Sequence, residues 1–254
     1  MAIAFDNSSS GSGDATTQVT FTSHTVGGSN RILFFCIQME DSTDADRVIT
    51  DATFGAQSLS QVVRSNNDTY NLTTEIWKLT APNTGTATVT VNSSGGNVAN
   101  FEVTAMSFTG VDQTDASNID VSNTGAGTDS PVTVGLATTV DNDWAVDSAS
   151  VVGNRTLTVG ADQTAITNLV TGDGVSYEGP KTPTGTMTMS WTYTPAANFV
   201  TAACAFKPAT GSSQSPSASA SASLSPSASL SPSASASASV SPSASVSPSA
   251  SVSP

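Results

Sequence analysis

A single histidine limits the acid–base chemistry that this chain could perform. His24 lies in the segment Thr22–Val26, in or just after a predicted strand. A Ser-His-Asp triad uses histidine as its general base, but no Gly-x-Ser-x-Gly elbow presents a serine nucleophile. One histidine and two cysteines are also too few for a zinc site. We therefore expect His24 to be a polar residue at a strand end, and we predict no catalytic residue and no cofactor.

Glycoside hydrolysis would require two carboxylates that face each other across a cleft. The glutamates are Glu40, Glu75, Glu102 and Glu178. Glu75 and Glu102 fall on predicted strands, but the Glu-x-Asp-x-Glu spacing of sandwich glucanases is absent. We expect both side chains to face solvent, so a glycoside hydrolase is only a second alternative function.

Acidic turns raise the question of a bound calcium ion. Three aspartates around Trp144 occupy odd-numbered positions: Asp141, Asp143 and Asp147. Oxygen atoms are the ligands that Ca²⁺ takes. The ion needs about six to eight ligands, and the EF-hand spacing with its glycine is missing. The sequence favours solvated acidic loops, with these three aspartates as weak calcium candidates.

Aromatic side chains could stack on a sugar ring. The three tryptophans lie inside alternating segments, which favours packing in the core. Tyr70 and Tyr177 lie in turn-rich segments, and they are the candidates for ligand contact.

Two cysteines lie near the first and last strands of the body, at Cys36 and Cys204. Two interpretations stay open. They are either buried thiols that pack as small hydrophobic groups, or a disulfide between neighbouring terminal strands that forms in an oxidising medium.

The charge balance excludes two classes of partner. Seven basic residues against twenty acidic ones give a formal net charge of −13, which repels phosphate backbones and anionic lipid. We predict no nucleic-acid partner. We also predict no membrane insertion, because no apolar run approaches the roughly 20 residues of a span. The first residues lack the basic and apolar regions of a secretory signal peptide, so we expect cytoplasmic synthesis without one.

The hydrophobic pattern predicts an all-β body over residues 1–209. Ile32 to Ile37 is apolar on both faces, which predicts a central strand covered on both sides. Met187 to Tyr193 alternates, and residues 112–129 are predicted to form a long loop. No segment repeats apolar residues at helical spacing. About 11–12 short strands separated by turn residues predict an antiparallel, jelly-roll-like β-sandwich.

A repetitive segment follows this body. From Ser215 to Pro254 every odd position is serine, and every even position is Pro, Ala, Leu or Val. This composition buries too little apolar surface to fold alone. We therefore predict that residues 210–254 form a disordered or extended linker, with a reach on the order of 120–130 Å. An O-glycosylated stalk and an ordered strand assembly are alternatives, although proline disfavours the latter inside a sheet.

Several segments carry a resemblance to known sequences. They are Ser29–Phe35, Ala52–Leu59, Glu75–Val91, Phe108–Thr114 and Ala203–Pro208. Together they resemble a loose group of uncharacterised β-sandwich proteins from phage genomes and environmental bacteria. The similarity covers the predicted body. It implies a jelly-roll or lectin-like fold and a structural role in a virion or on a surface, and it carries over no catalytic residue.

These observations favour a non-enzymatic structural protein of a virion or extracellular surface assembly, displayed on its Ser/Pro stalk. Its expected partners are copies of itself or other virion or surface proteins. The alternative is a carbohydrate-binding or host-attachment module with cell-surface glycans as partners. Size-exclusion and glycan-binding experiments distinguish the two.

Overall fold

The computed structural model describes residues 1–41, 47–153, 155–168 and 172–210. Its described part is built from antiparallel strands without helices, which confirms the predicted all-β class. No helix in these ranges is long and apolar enough to cross a membrane. The predicted linker, apart from Thr210, lies outside the described residues.

The first half of the chain forms two facing sheets. Sheet I has the strand order β1-β9-β3-β7-β6, and sheet II has the order β2-β8-β4-β5. Their strands are β1 (Ala4–Thr16), β2 (Gln18–Val26), β3 (Ile32–Glu40), β4 (Ile49–Phe54), β5 (Gln57–Ser58), β6 (Ser60–Asn67), β7 (Leu72–Thr80), β8 (Gly85–Ser93) and β9 (Val98–Thr109).

The second half repeats this arrangement. Sheet III has the order β10-β17-β12-β15-β14, and sheet IV has the order β11-β16-β13. Their strands are β10 (Ile119–Gly127), β11 (Val132–Ala137), β12 (Asp143–Val151), β13 (Thr158–Val159), β14 (Thr164–Asn168), β15 (Asp173–Lys181), β16 (Thr186–Thr192) and β17 (Phe199–Phe206).

Each half is wound as a jelly roll. The first strand pairs with the last, the second with the last but one, and the third with the strand before that. This is one long antiparallel ribbon wrapped around a core, the arrangement that defines a jelly roll. The structure therefore contains two such units in tandem, where the sequence pattern predicts one sandwich.

The two jelly rolls also correspond in register, which indicates an internal duplication of the fold. Strands β3 and β9 pair as β12 and β17 do. The matching pairs are Ile32–Phe108 with Trp144–Phe206, and Met39–Phe101 with Val151–Phe199. Short identical segments sit at matching places: Asn100-Phe101 with Asn198-Phe199, and Thr84-Gly85-Thr86 with Thr184-Gly185-Thr186.

The four sheets stack in the order II, I, III, IV, with an apolar core at each contact. The middle contact, here called the junction core, joins the two jelly rolls. It comprises Ile32, Phe34, Cys36, Ile76, Met106 and Phe108 of sheet I with Val146, Val175, Ala202, Cys204 and Phe206 of sheet III, together with neighbouring residues. Strand β3 is covered on both faces, as its sequence predicts, and each large side chain buried there contributes about 1.5–3 kcal/mol.

Candidate functional site: strand edges and a cleft at the junction

His24 is buried in strand β2, and its ring makes a T-shaped contact with the Phe54 ring at a centroid distance of 5.9 Å. Its Nδ1 atom shares a hydrogen bond of 2.9 Å with the Ser9 hydroxyl. Burial lowers the pKa of His24 to about 4, against the opposing charge of Asp6. The imidazole is therefore neutral at pH 7 and positioned as a core group.

Glu75 and Glu102 are both buried, so the expectation that they face solvent is wrong. Glu75 accepts hydrogen bonds from Trp77 Nε1 (2.7 Å) and Gln61 Nε2 (2.8 Å) inside the first jelly roll. Burial raises the pKa of Glu75 despite these bonds. The two carboxylates belong to opposite faces of sheet I, since Trp77 and Val103 pack towards sheet II. They cannot flank one glycosidic bond in this arrangement.

The three calcium candidates have separate surroundings. Asp147 is buried and accepts hydrogen bonds from Trp191 Nε1 (2.7 Å) and the Ser176 backbone N–H (3.1 Å). Asp141 accepts the Thr184 N–H at 2.8 Å. The residues that the structure describes contain no group of three or more His, Cys, Asp or Glu side chains able to hold a metal.

Asp143 forms an acid pair with Asp120 in the second jelly roll. Burial, helped by the hydrogen bond and charge of Asp120, raises the pKa of Asp143 to about 8. Burial opposes ionisation of Asp120 too, but hydrogen bonds from Thr139 hold its pKa below the ordinary value. Asp143 is therefore the protonated member of the pair at neutral pH and Asp120 the ionised one, and Lys207 Nζ lies 3.4 Å from Asp120 Oδ1. Burial likewise raises the pKa of Asp147 to about 7, against its hydrogen bonds.

Asp120 and Asp6 occupy matching positions that the sequence pattern does not reveal. Each is the extra residue of a bulge near the start of the first strand of its jelly roll. Asp6 accepts the Gly27 N–H at 2.9 Å, and Asp120 accepts the Thr139 N–H at 2.5 Å. Both carboxylates thereby fix the loop after the second strand, which is a structural task.

Cys36 and Cys204 are buried free thiols in the junction core. They come from facing sheets rather than from neighbouring strands of one sheet, because β3 belongs to sheet I and β17 to sheet III. Burial raises the pKa of both thiols. Both cysteines are free thiols in the structure, and the disulfide stays a prediction.

The predicted ligand-contact tyrosines differ in exposure. Tyr70 is 44% exposed in the turn after β6. Tyr177 lies between two rings: it stacks on Phe5 at 5.0 Å and on Trp144 at 5.7 Å, with interplanar angles of 9° and 13°. Tyr177 therefore contributes to the junction more than to an open surface.

Trp144 borders a cleft where the two jelly rolls meet. This cleft, here called the junction cleft, has a volume of about 410 Å³ and is lined by Met1, Ile3, Asn142, Trp144, Pro180 and Pro208, among others. Its walls are mostly apolar, and Asn142 adds an amide to the lining. The alternating pattern around Trp144 predicts a core position, whereas the residue is half-buried and lies at the end of a ring stack.

Two long strands form edges with little protection. Strand β1 ends sheet I and strand β10 ends sheet III. Residues 7–13 and 121–127 of these strands contain no charged residue and no proline, although natural edges usually carry such blocking groups. Because β10 packs against β6, at the far end of sheet I from β1, the two edges lie on opposite sides of the molecule.

No protein-family model, curated protein or solved structure matches this chain.

Proposed function

We propose that this protein is a non-enzymatic structural unit of an extracellular or virion surface assembly, and that its copies associate through the edges of β1 and β10. The observation that carries the proposal is the pair of uncharged, proline-free edges in a chain of net charge −13. Acidic copies repel one another, and uncharged edge segments lower that electrostatic cost where two copies approach. Free backbone groups on an edge strand are a template for pairing with another chain.

The positions of the edges support a repeating contact. An edge on each of two opposite sides lets one copy bind two others, and a head-to-tail contact that does not close generates a filament. The serine-rich linker is proposed to hold this assembly at a distance from its anchor, as a spacer of its composition would.

Light scattering on the full chain, separated by size at increasing concentration, tests the proposal. The double variant Ser10→Lys/Ser12→Lys adds two charges to exposed positions of β1 and should lower the association constant at least tenfold. Thr186→Lys/Thr188→Lys is the matched control, because these exposed residues lie on β16, the central strand of sheet IV. A chain that stays monomeric at every concentration contradicts the proposal, and so does equal loss in the control.

Glycan binding at the junction cleft is the second candidate function. The observation that favours it is the flat stack of Phe5, Tyr177 and Trp144 beside an apolar cavity, because aromatic faces pack against sugar rings. A glycan array probed with the full chain should give signals that Trp144→Phe weakens and Trp77→Phe preserves. A blank array removes this candidate.

A further inference from the structure

A buried lysine meets an asparagine side chain between the two jelly rolls. Lys78 lies on β7 and its side chain is 10% exposed. Asn118 immediately precedes β10 and is fully buried. Lys78 Nζ lies 2.7 Å from Asn118 Oδ1, so the amine lies beside the carboxamide group.

A carboxylate and a hydroxyl complete this cluster. Lys78 Nζ lies 3.0 Å from Asp115 Oδ1, and the Thr80 hydroxyl donates to the same oxygen at 2.5 Å. Asn118 Nδ2 donates to Thr80 Oγ1 at 2.7 Å, which fixes the carboxamide with its oxygen towards the lysine. The backbone N–H of Asn118 is bonded to Thr114 O at 2.9 Å, so the asparagine cannot easily turn away.

We propose that Lys78 and Asn118 form an intramolecular isopeptide bond that joins the two jelly rolls covalently. Lys78 first transfers a proton from Nζ to the Asp115 carboxylate. The neutral amine then attacks Asn118 Cγ, the bond from Cγ to Nδ2 breaks, and Asp115 returns the proton to the leaving nitrogen. Nζ then gives its second proton to the Asp115 carboxylate, ammonia departs, and a neutral amide links Nζ to Cγ, so atoms and charge balance without any other reactant.

Three features of the cluster favour a fast reaction. Held reactants gain a large effective concentration, with effective molarities up to about 10⁵–10⁸ M in well-oriented cases. The Asp115 carboxylate lies within hydrogen-bond distance of Nζ, so it can accept and return a proton during the reaction. The cluster borders a cavity of about 470 Å³ that Lys78, Thr80 and Asp115 help to line, which gives ammonia a way out.

Mass spectrometry of the purified full chain tests the proposal. The intact mass should be lower than the sequence requires by one ammonia, and fragment spectra should place a branch between Lys78 and Asn118. Trypsin should cut after Lys181 and fail to cut after Lys78. Lys78→Arg keeps the charge but cannot form the bond, and it should restore the full mass. Asp115→Asn should slow the loss of ammonia at least tenfold.

Two results would overturn the proposal. One is a folded chain of unmodified mass that trypsin cuts after Lys78 once denatured. The other is an ammonia loss that persists in Lys78→Arg, which would indicate a succinimide at an asparagine. Lys181→Arg is the matched control and should leave the ammonia loss unchanged. Since Lys78→Arg retains the positive charge, its circular dichroism shows whether it folds.

Discussion

Individual polar residues inside this protein act mainly as fixed hydrogen-bonding groups, and their burial makes stability depend on pH in two opposite ways. Asp143 and Asp147 have raised pKa values, so folding favours their protonated forms. His24 has a lowered pKa, so folding favours its neutral form. The aspartates weaken the fold as pH rises, and the histidine weakens it as pH falls.

Asp143→Asn should stabilise the protein in alkali. The stabilisation from protonated Asp143 is complete below its unfolded pKa near 3.9 and is lost as pH rises through about 8. Asparagine keeps a donor towards Asp120 without titrating. The melting temperature at pH 9 should rise by roughly 2–6 °C, measured by circular dichroism. Asp14→Asn, an exposed change on β1, is the control and should leave the melting temperature at pH 9 unchanged.

His24→Leu should flatten the acid side of the stability profile. The folded pKa near 4 lies below the unfolded value of about 6.5, so the unfolded state binds more protons between these two pH values. Wild-type stability therefore falls as pH drops from 6.5 to 4. The slope of unfolding free energy over this window, measured in urea, should decrease in the variant. An unchanged slope would contradict a neutral buried imidazole.

At the scale of strands, the sequence predicts a strand where its two faces differ in polarity or where both faces are apolar. Strands β3 and β16 follow from their hydrophobic patterns. Strand β10 lies in the predicted loop of residues 112–129, because its Ser, Asn, Thr, Gly and Ala side chains carry no alternation. Strand β1 was missed for the same reason. Both are stabilised by pairing with a buried neighbour, β17 or β9, which is tertiary information.

Gly174 on β15 shows how the two jelly rolls fill one position differently. Glu75 occupies the matching place on β7, whereas a Cβ atom at Gly174 would lie 2.9 Å from the Trp191 ring. Gly174→Ala should lower the unfolding free energy by about 1–3 kcal/mol through overpacking. Gly135→Ala, at an exposed position of β11, meets nothing closer than 3.4 Å and should cost under about 0.5 kcal/mol. Urea titration compares the two, and equal costs would contradict the packing account.

At the scale of the whole molecule, the junction core makes the two jelly rolls interdependent. Phe108 contacts Phe5 and Phe34 of its own sheet, and it contacts Trp144, Tyr177 and Phe206 across this core. Local patterns along the chain identify each strand as apolar. They do not show that a five-stranded sheet is covered by a second copy of the same fold. The duplication and the acid pair therefore become visible only once the pairing register of the strands is known.

Phe108→Ala should therefore weaken both jelly rolls at once. The unfolding free energy should fall by about 3–5 kcal/mol, with one transition in which Trp77 and Trp191 change environment together. Fluorescence of variants that keep only one of these tryptophans provides the measurement. Two separated transitions would mean that the halves fold independently.

The shared face between the halves sets the smallest piece of this protein that can be produced. A gene fragment ending after β9 would leave the outer side of sheet I, with Phe34, Ile76 and Phe108, in contact with water. Recombinant fragments cut at the duplication boundary would precipitate or pair with each other, so expression and crystallisation need both repeats in one polypeptide.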